Sequence, residues 1–75
     1  MKELLEFLIK GIIGKPDFTV SESVDGNFVN LTVKTAPENI GLIIGKGGNT
    51  IKMIRNILRV KATLEKKGVS VNVEE

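Results

Sequence analysis

The segment Ile43-Ile44-Gly45-Lys46-Gly47-Gly48-Asn49-Thr50-Ile51 constrains this chain more than any other. Branched apolar residues run into a tetrad of three glycines and one lysine, and a new apolar pattern begins directly after it. Glycine inside a helix costs about 0.5–1 kcal/mol relative to alanine. The tetrad is therefore a turn, and the patterns on its two sides make it a joint between helices. Such a loop also lets backbone amides approach an anion, because glycine has no Cβ to hold a ligand away. Lys46 adds a full charge at the same spot, so backbone phosphate is the first candidate ligand.

The elements around the joint can be read from periodicity. Between Lys2 and Ile13, Leu4, Leu5, Leu8, Ile9, Ile12 and Ile13 follow the i, i+3, i+4 rhythm of an amphipathic helix. Gly14 and Pro16 stop it. Phe18–Val24 and Phe28–Thr35 alternate apolar and polar residues, and Asp25-Gly26 between them signals a hairpin. Pro37 opens a short helix reaching about Ile44, with Glu38 near its positive end. A long helix is predicted from about Asn49 to Lys66, capped by Gly68. Val69, Val71 and Val73 then alternate as a last strand. The order is α-β-β-α-α-β, an α+β domain with a three-stranded mixed sheet and three helices on one face. The last strand is expected to lie parallel to Phe28–Thr35 after a helical crossover.

The long helix carries more apolar surface than one contact needs. Ile51, Ile54, Leu58 and Ala62 fall on one side at about 100° per residue, and Lys52, Arg55, Arg59 and Lys66 on a second. Met53, Ile57, Val60 and Leu64 form a further apolar stripe. One stripe packs on the sheet. The other either meets the two remaining helices or is a dimer surface, since four large exposed apolar residues are unusual on a monomer. Gly41 is read as a position for close helix packing.

Composition excludes several functions. Seventy-five residues make a single domain, 1–75, and a chain of this size buries only about 60% of its unfolded surface. It has no cysteine and no histidine, which removes disulfides, thiolate zinc sites and the commonest general base. No apolar run approaches the roughly 18 residues of a membrane span and no signal-peptide pattern opens the chain, so a cytoplasmic protein without membrane contact is expected. The net charge of +2 is unevenly spread. Gly41 to Lys67 holds seven basic residues against Glu65, while the remainder holds four lysines against eight acids. A surface polarised in this way steers polyanions.

Nucleotide-cofactor motifs do not fit the loop. A P-loop places four residues between its first glycine and Gly-Lys, then Ser or Thr; here only three residues separate Gly41 from Gly45-Lys46, and Gly47 follows. A dinucleotide fingerprint would require glycines at 45, 47 and 50, and position 50 is Thr50. What is left is Gly-x-x-Gly between two helices. From Ala36 to Ala62 the chain resembles the KH signature, Ile/Val-Ile-Gly-x-x-Gly-x-x-Ile, and its element order is similar to the type II arrangement. Over its whole length it is most similar to the small stand-alone bacterial KH proteins of the KhpA type.

The resemblance implies an RNA-binding protein, a post-transcriptional regulator or RNA chaperone that prefers single-stranded segments. Gly45, Lys46, Gly47 and Gly48 would press on the sugar-phosphate backbone of about four nucleotides, with Asn49 starting the helix behind them. Lys52 and Arg55 would reach phosphate. Ile40, Ile44 and Ile51 are candidates for an aliphatic groove floor under the bases. With three phenylalanines and no Trp or Tyr, a stacking platform is hard to build. Family resemblance also implies association with a second KH-containing protein. The rival reading is a protein-interaction module that dimerises through Met53, Ile57, Val60 and Leu64 with little direct RNA binding. No cofactor, metal or small-molecule substrate is implied, and an enzyme is the poorest fit.

Overall fold

The computed structural model describes residues 1–74, so the last residue of the expected 1–75 domain lies outside the described residues. The elements are α1 (Lys2–Ile13), β1 (Phe18–Asp25), β2 (Phe28–Thr35), α2 (Pro37–Ile44), a single 3-10 turn (Lys46–Gly48), α3 (Asn49–Leu64) and β3 (Gly68–Glu74). This is the expected α-β-β-α-α-β order. The sheet runs β1-β2-β3, with β1 antiparallel and β3 parallel to the central β2. Both outer strands are open edges.

Alternation along β2 sorts the two faces. Val29, Leu31 and Val33 point into the helix layer, where Val20 and Val71 join them from the edge strands. Leu5 and Ile9 of α1, Ile43 of α2, and Ile54 and Leu58 of α3 close over them without leaving accessible surface. At about 1.5–3 kcal/mol per fully buried aliphatic side chain, this small cluster supplies most of the cohesion. The other sheet face is polar, and Ser70 donates to Asn30 Oδ1 across β2 and β3 at 2.7 Å. Glu22 and Val24 share the inward face with Val20 yet are exposed, because the helices do not cover that end of β1.

Caps and turns explain the boundaries. Gly14 adopts φ 76° and its amide bonds Lys10 O at 2.8 Å, ending α1 as expected. The hairpin turn is formed by Gly26 and Asn27, flanked by the pair Asp25–Phe28, so β1 extends one residue beyond the predicted Val24. Pro37 occupies the first turn of α2. Buried Asn39 donates to Thr35 Oγ1, and Thr35 donates to Asp17 O, tying the start of α2 to the sheet and to the α1–β1 link.

The end of α3 differs from expectation. The helix stops at Leu64, and Lys66 turns the chain with φ 58°. Lys66 N–H bonds Thr63 O at 3.1 Å and Lys67 N–H bonds Ala62 O at 2.8 Å. That pair of bonds is a Schellman motif with lysine in the left-handed position usually held by glycine. Gly68 does not cap the helix; it opens β3, where any Cβ would meet the Phe28 ring. Gly41 serves no close packing either, since a Cβ there would meet nothing within 4 Å.

Candidate nucleic-acid interface

The glycine tetrad forms a tight, projecting turn between α2 and α3. Gly45, Gly47 and Gly48 all take positive φ (78°, 64° and 77°), a conformation that costs an ordinary residue about 1–2 kcal/mol. Gly45 is the special position. At φ 78° and ψ 168° it lies in a region occupied essentially by glycine alone. Its Cα also packs against Thr50, so a Cβ would fall 2.9 Å from the Thr50 backbone nitrogen and nearer still to its side chain. Gly47 and Gly48 have open space where a side chain would stand. Gly45 therefore shapes the turn, and the other two leave its outer surface bare.

Backbone hydrogen bonds set which groups the turn presents. Gly45 N–H bonds Gly41 O at 2.9 Å, and Gly48 N–H bonds Gly45 O at 3.1 Å. Lys46 and Gly47 are exposed at the apex. Among the described residues no side chain caps the first turn of α3, so its amides contribute the partial positive charge of a helix start. Asn49 is exposed at that start, and Lys52 is exposed one turn along. Among the described residues, neither Lys46 nor Lys52 takes part in an ion pair.

The aliphatic candidates separate by depth. Ile40 and Ile44 are half-buried on α2. Ile51 is only 5% exposed and belongs to the core, supporting the turn from below with almost no surface of its own. Arg55 also sits differently from the expected phosphate contact. Its Nε and Nη2 donate to Val71 O, at 3.3 and 3.0 Å, which draws the guanidinium toward the open edge of β3. Arg59, one turn further, lines the same cleft. Periodicity places both arginines on one helix face, but their meeting with β3 depends on a strand pairing that periodicity does not contain.

The positive charge is more focused than a residue count suggests. Lys61 and Lys67 both pair with Glu65, at 3.1 and 3.8 Å. The Lys61 hydrogen bond holds the Glu65 carboxyl below its ordinary pKa. The surplus near the end of α3 is thereby reduced, leaving Lys46, Lys52, Arg55 and Arg59 as the cations of the loop and the β3 side of α3. The second apolar stripe is not covered by α1 or α2. Met53, Ile57, Val60 and Leu64 are 38–80% exposed, which removes the reading that the other helices bury them.

An α-β-β-α-α-β domain whose Gly-x-x-Gly turn joins two helices has the layout of a type II KH domain. Sequence comparison narrows that class. Residues 2–74 match the family described as KhpA/KhpB, KH domain, and the chain belongs to this family. It is 39% identical over 74 residues to the RNA-binding protein KhpA of Clostridium acetobutylicum, covering 97% of this chain and 99% of that protein. Identity to RNA-binding protein KhpA of Clostridium perfringens is 38% with the same coverage. Identity to that of Chlamydia trachomatis is 37% over 76 residues, covering 100% of this chain and 97% of the relative. No solved structure matches the chain.

Proposed function

We propose that this protein binds RNA, preferring single-stranded segments, with the Gly45–Gly48 turn as a clamp on the sugar-phosphate backbone. The observation that carries this reading is the turn itself. It projects Lys46 and bare Gly47 beside the uncapped start of α3. A phosphate there meets amides, a helix dipole and a full charge together, and Lys52 takes the next one. Bases turn toward Ile40 and Ile44, supported by Ile51. Relatives across 97–100% of the chain carry the name RNA-binding protein, in keeping with this reading. One module of this size binds with modest affinity and low sequence demand, which suits an RNA chaperone or post-transcriptional regulator acting in the cytoplasm.

The exposed stripe on α3 favours an additional role. Met53, Ile57, Val60 and Leu64 repeat at spacings of four, three and four residues along two helical turns and more, a pattern that packs helix on helix. We assign this face to a second copy of the chain or to another KH-containing protein, so that association and RNA binding use different sides of one helix. The rival in which the domain only associates leaves the paired exposure of Lys46 and Lys52 without a use.

The test is the double variant Lys46→Asp/Gly47→Asp in a low-salt filter-binding assay with single-stranded RNA. Aspartate tolerates the left-handed backbone better than most residues, so circular dichroism should report an intact fold. Binding should be lost. Unchanged affinity would remove the turn from the mechanism.

A further inference from the structure

We propose that the open edge of β1 is a docking site for an extended basic segment of another protein, which adds to the sheet as a fourth, antiparallel strand. The site is independent of the RNA-binding reading above. It lies at the opposite edge of the sheet from β3, where Arg55 reaches Val71.

An edge strand turns a row of unpaired N–H and C=O groups outward, and proteins blunt such rows with short strands, lysine, proline, bulges or a covering element. β1 lacks these devices. It runs for 8 residues, Phe18–Asp25, where about five or six is typical. It contains no lysine or proline, and every residue pairs with β2 in an unbroken register from Phe18–Thr35 to Asp25–Phe28, so no bulge turns it aside. Among the described residues, no side chain hydrogen-bonds to the β1 backbone. The other edge differs, because Arg55 already occupies Val71 O. The Ser21–Asp25 end of β1 is exposed throughout, and Val24 on its helix-facing side is 57% exposed. An incoming strand would meet backbone partners and an apolar contact at the same place.

Charge decides the occupant. Glu22 points to the helix side of the edge and Asp25 to the outer side. Among the described residues neither takes part in an ion pair, while Asp17, just before the strand, has Lys15 at 3.7 Å. A second copy of the chain fits poorly. With the helices of both copies on the same face, the two longest two-fold registers of β1 with itself set Glu22 opposite Glu22 or Asp25 opposite Asp17. Like charges directly opposite are destabilising, and opposite charges stabilise. The same carboxylates repel a polyanion such as RNA. A strand carrying cations is the complement, and antiparallel pairing is the more stable kind. Running back from Asp25 to Glu22, such a strand places a basic residue, an apolar residue for Val24, a residue opposite Ser23, and a second basic residue.

The experiment uses the full chain and an end-blocked, fluorescein-labelled peptide, Lys-Val-Thr-Lys-Thr-Val-Thr, followed by fluorescence anisotropy. Two further peptides carry N-methyl groups on one or the other alternate set of backbone amides. Only one set faces β1, so one methylated peptide should bind at least about tenfold more weakly than the other, because several backbone hydrogen bonds are lost together. Glu22→Lys should weaken binding of the basic peptide about fivefold, and should bind a peptide with glutamate in place of lysine more tightly than wild type does. A urea midpoint shows whether that variant is folded, and the N-methyl comparison needs no variant. Absence of saturable binding by wild type, equal affinity for the two methylated peptides, or an unchanged affinity of folded Glu22→Lys overturns the proposal. Self-association that survives Val60→Asp and is dissolved by the peptide makes a second copy the occupant of the edge, and also overturns it.

Discussion

Gly45→Ala tests whether the turn is held by backbone geometry or is merely a flexible glycine run. The substitution places a Cβ at φ 78° and ψ 168°, a backbone state that costs about 1–3 kcal/mol for a non-glycine residue. The same Cβ overlaps Thr50, including its backbone nitrogen at 2.9 Å. Thr50 sits in the first turn of α3, so the overlap cannot be relieved by rotating one side chain; overpacking of this kind costs roughly 1–3 kcal/mol more. The total, about 2–6 kcal/mol, is large beside the roughly 4–11 kcal/mol expected for 75 residues at about 0.05–0.15 kcal/mol each. Gly47→Ala is the control. It has φ 64° and ψ 17° with nothing within 4 Å, so only the left-handed cost of about 1–2 kcal/mol applies. Urea denaturation followed by far-UV circular dichroism should rank wild type, Gly47→Ala and Gly45→Ala in falling order of midpoint. In a domain this small each kcal/mol corresponds to roughly 4–8 °C in Tm, so Gly45→Ala should melt at least about 8 °C below wild type. Equal stability of the two variants, within about 0.5 kcal/mol, would refute the argument that Gly45 shapes the turn.

Two other consequences follow from the long helix. Lys66→Gly should raise stability by about 0.5–1 kcal/mol in the same urea experiment, because φ 58° is strained for lysine and the gain is only partly offset by the greater freedom of unfolded glycine. Val60→Asp, on a residue 62% exposed, should leave the fold intact while abolishing self-association in sedimentation; a wild-type chain that sediments as a monomer at high concentration would dispose of the α3 interface between copies.

Much of the fold was legible because its signals are local. The apolar rhythm of Lys2–Ile13 defines α1, and Gly14 ends it where a left-handed residue is needed. Alternation in Phe28–Thr35 predicts the central strand with its observed limits. The helix end is where local reasoning fails. Gly68 is the obvious cap by composition, yet the Schellman bonds fall on Lys66 and Lys67. Where the chain must turn is decided by the start of the β3 pairing, and Gly68 is needed there because the Phe28 ring lies over it.

What the residues determined unaided is the presence of a helix–turn–helix joint that only glycine can form, the two-faced apolar pattern of the helix after it, and a charge surplus beside the joint. These depend on steric limits and periodicities that each segment carries with it. Tertiary structure decided how those properties are spent. Helix packing buried Ile51 and left Met53, Ile57, Val60 and Leu64 outside, because α1 and α2 leave that side of α3 uncovered. The parallel crossover brought Val71 to Arg55 across 16 positions of sequence, turning one cation of a helix face into an oriented fork above a strand edge. Long-range pairing chooses such neighbours, and periodicity along a single segment holds no information about them.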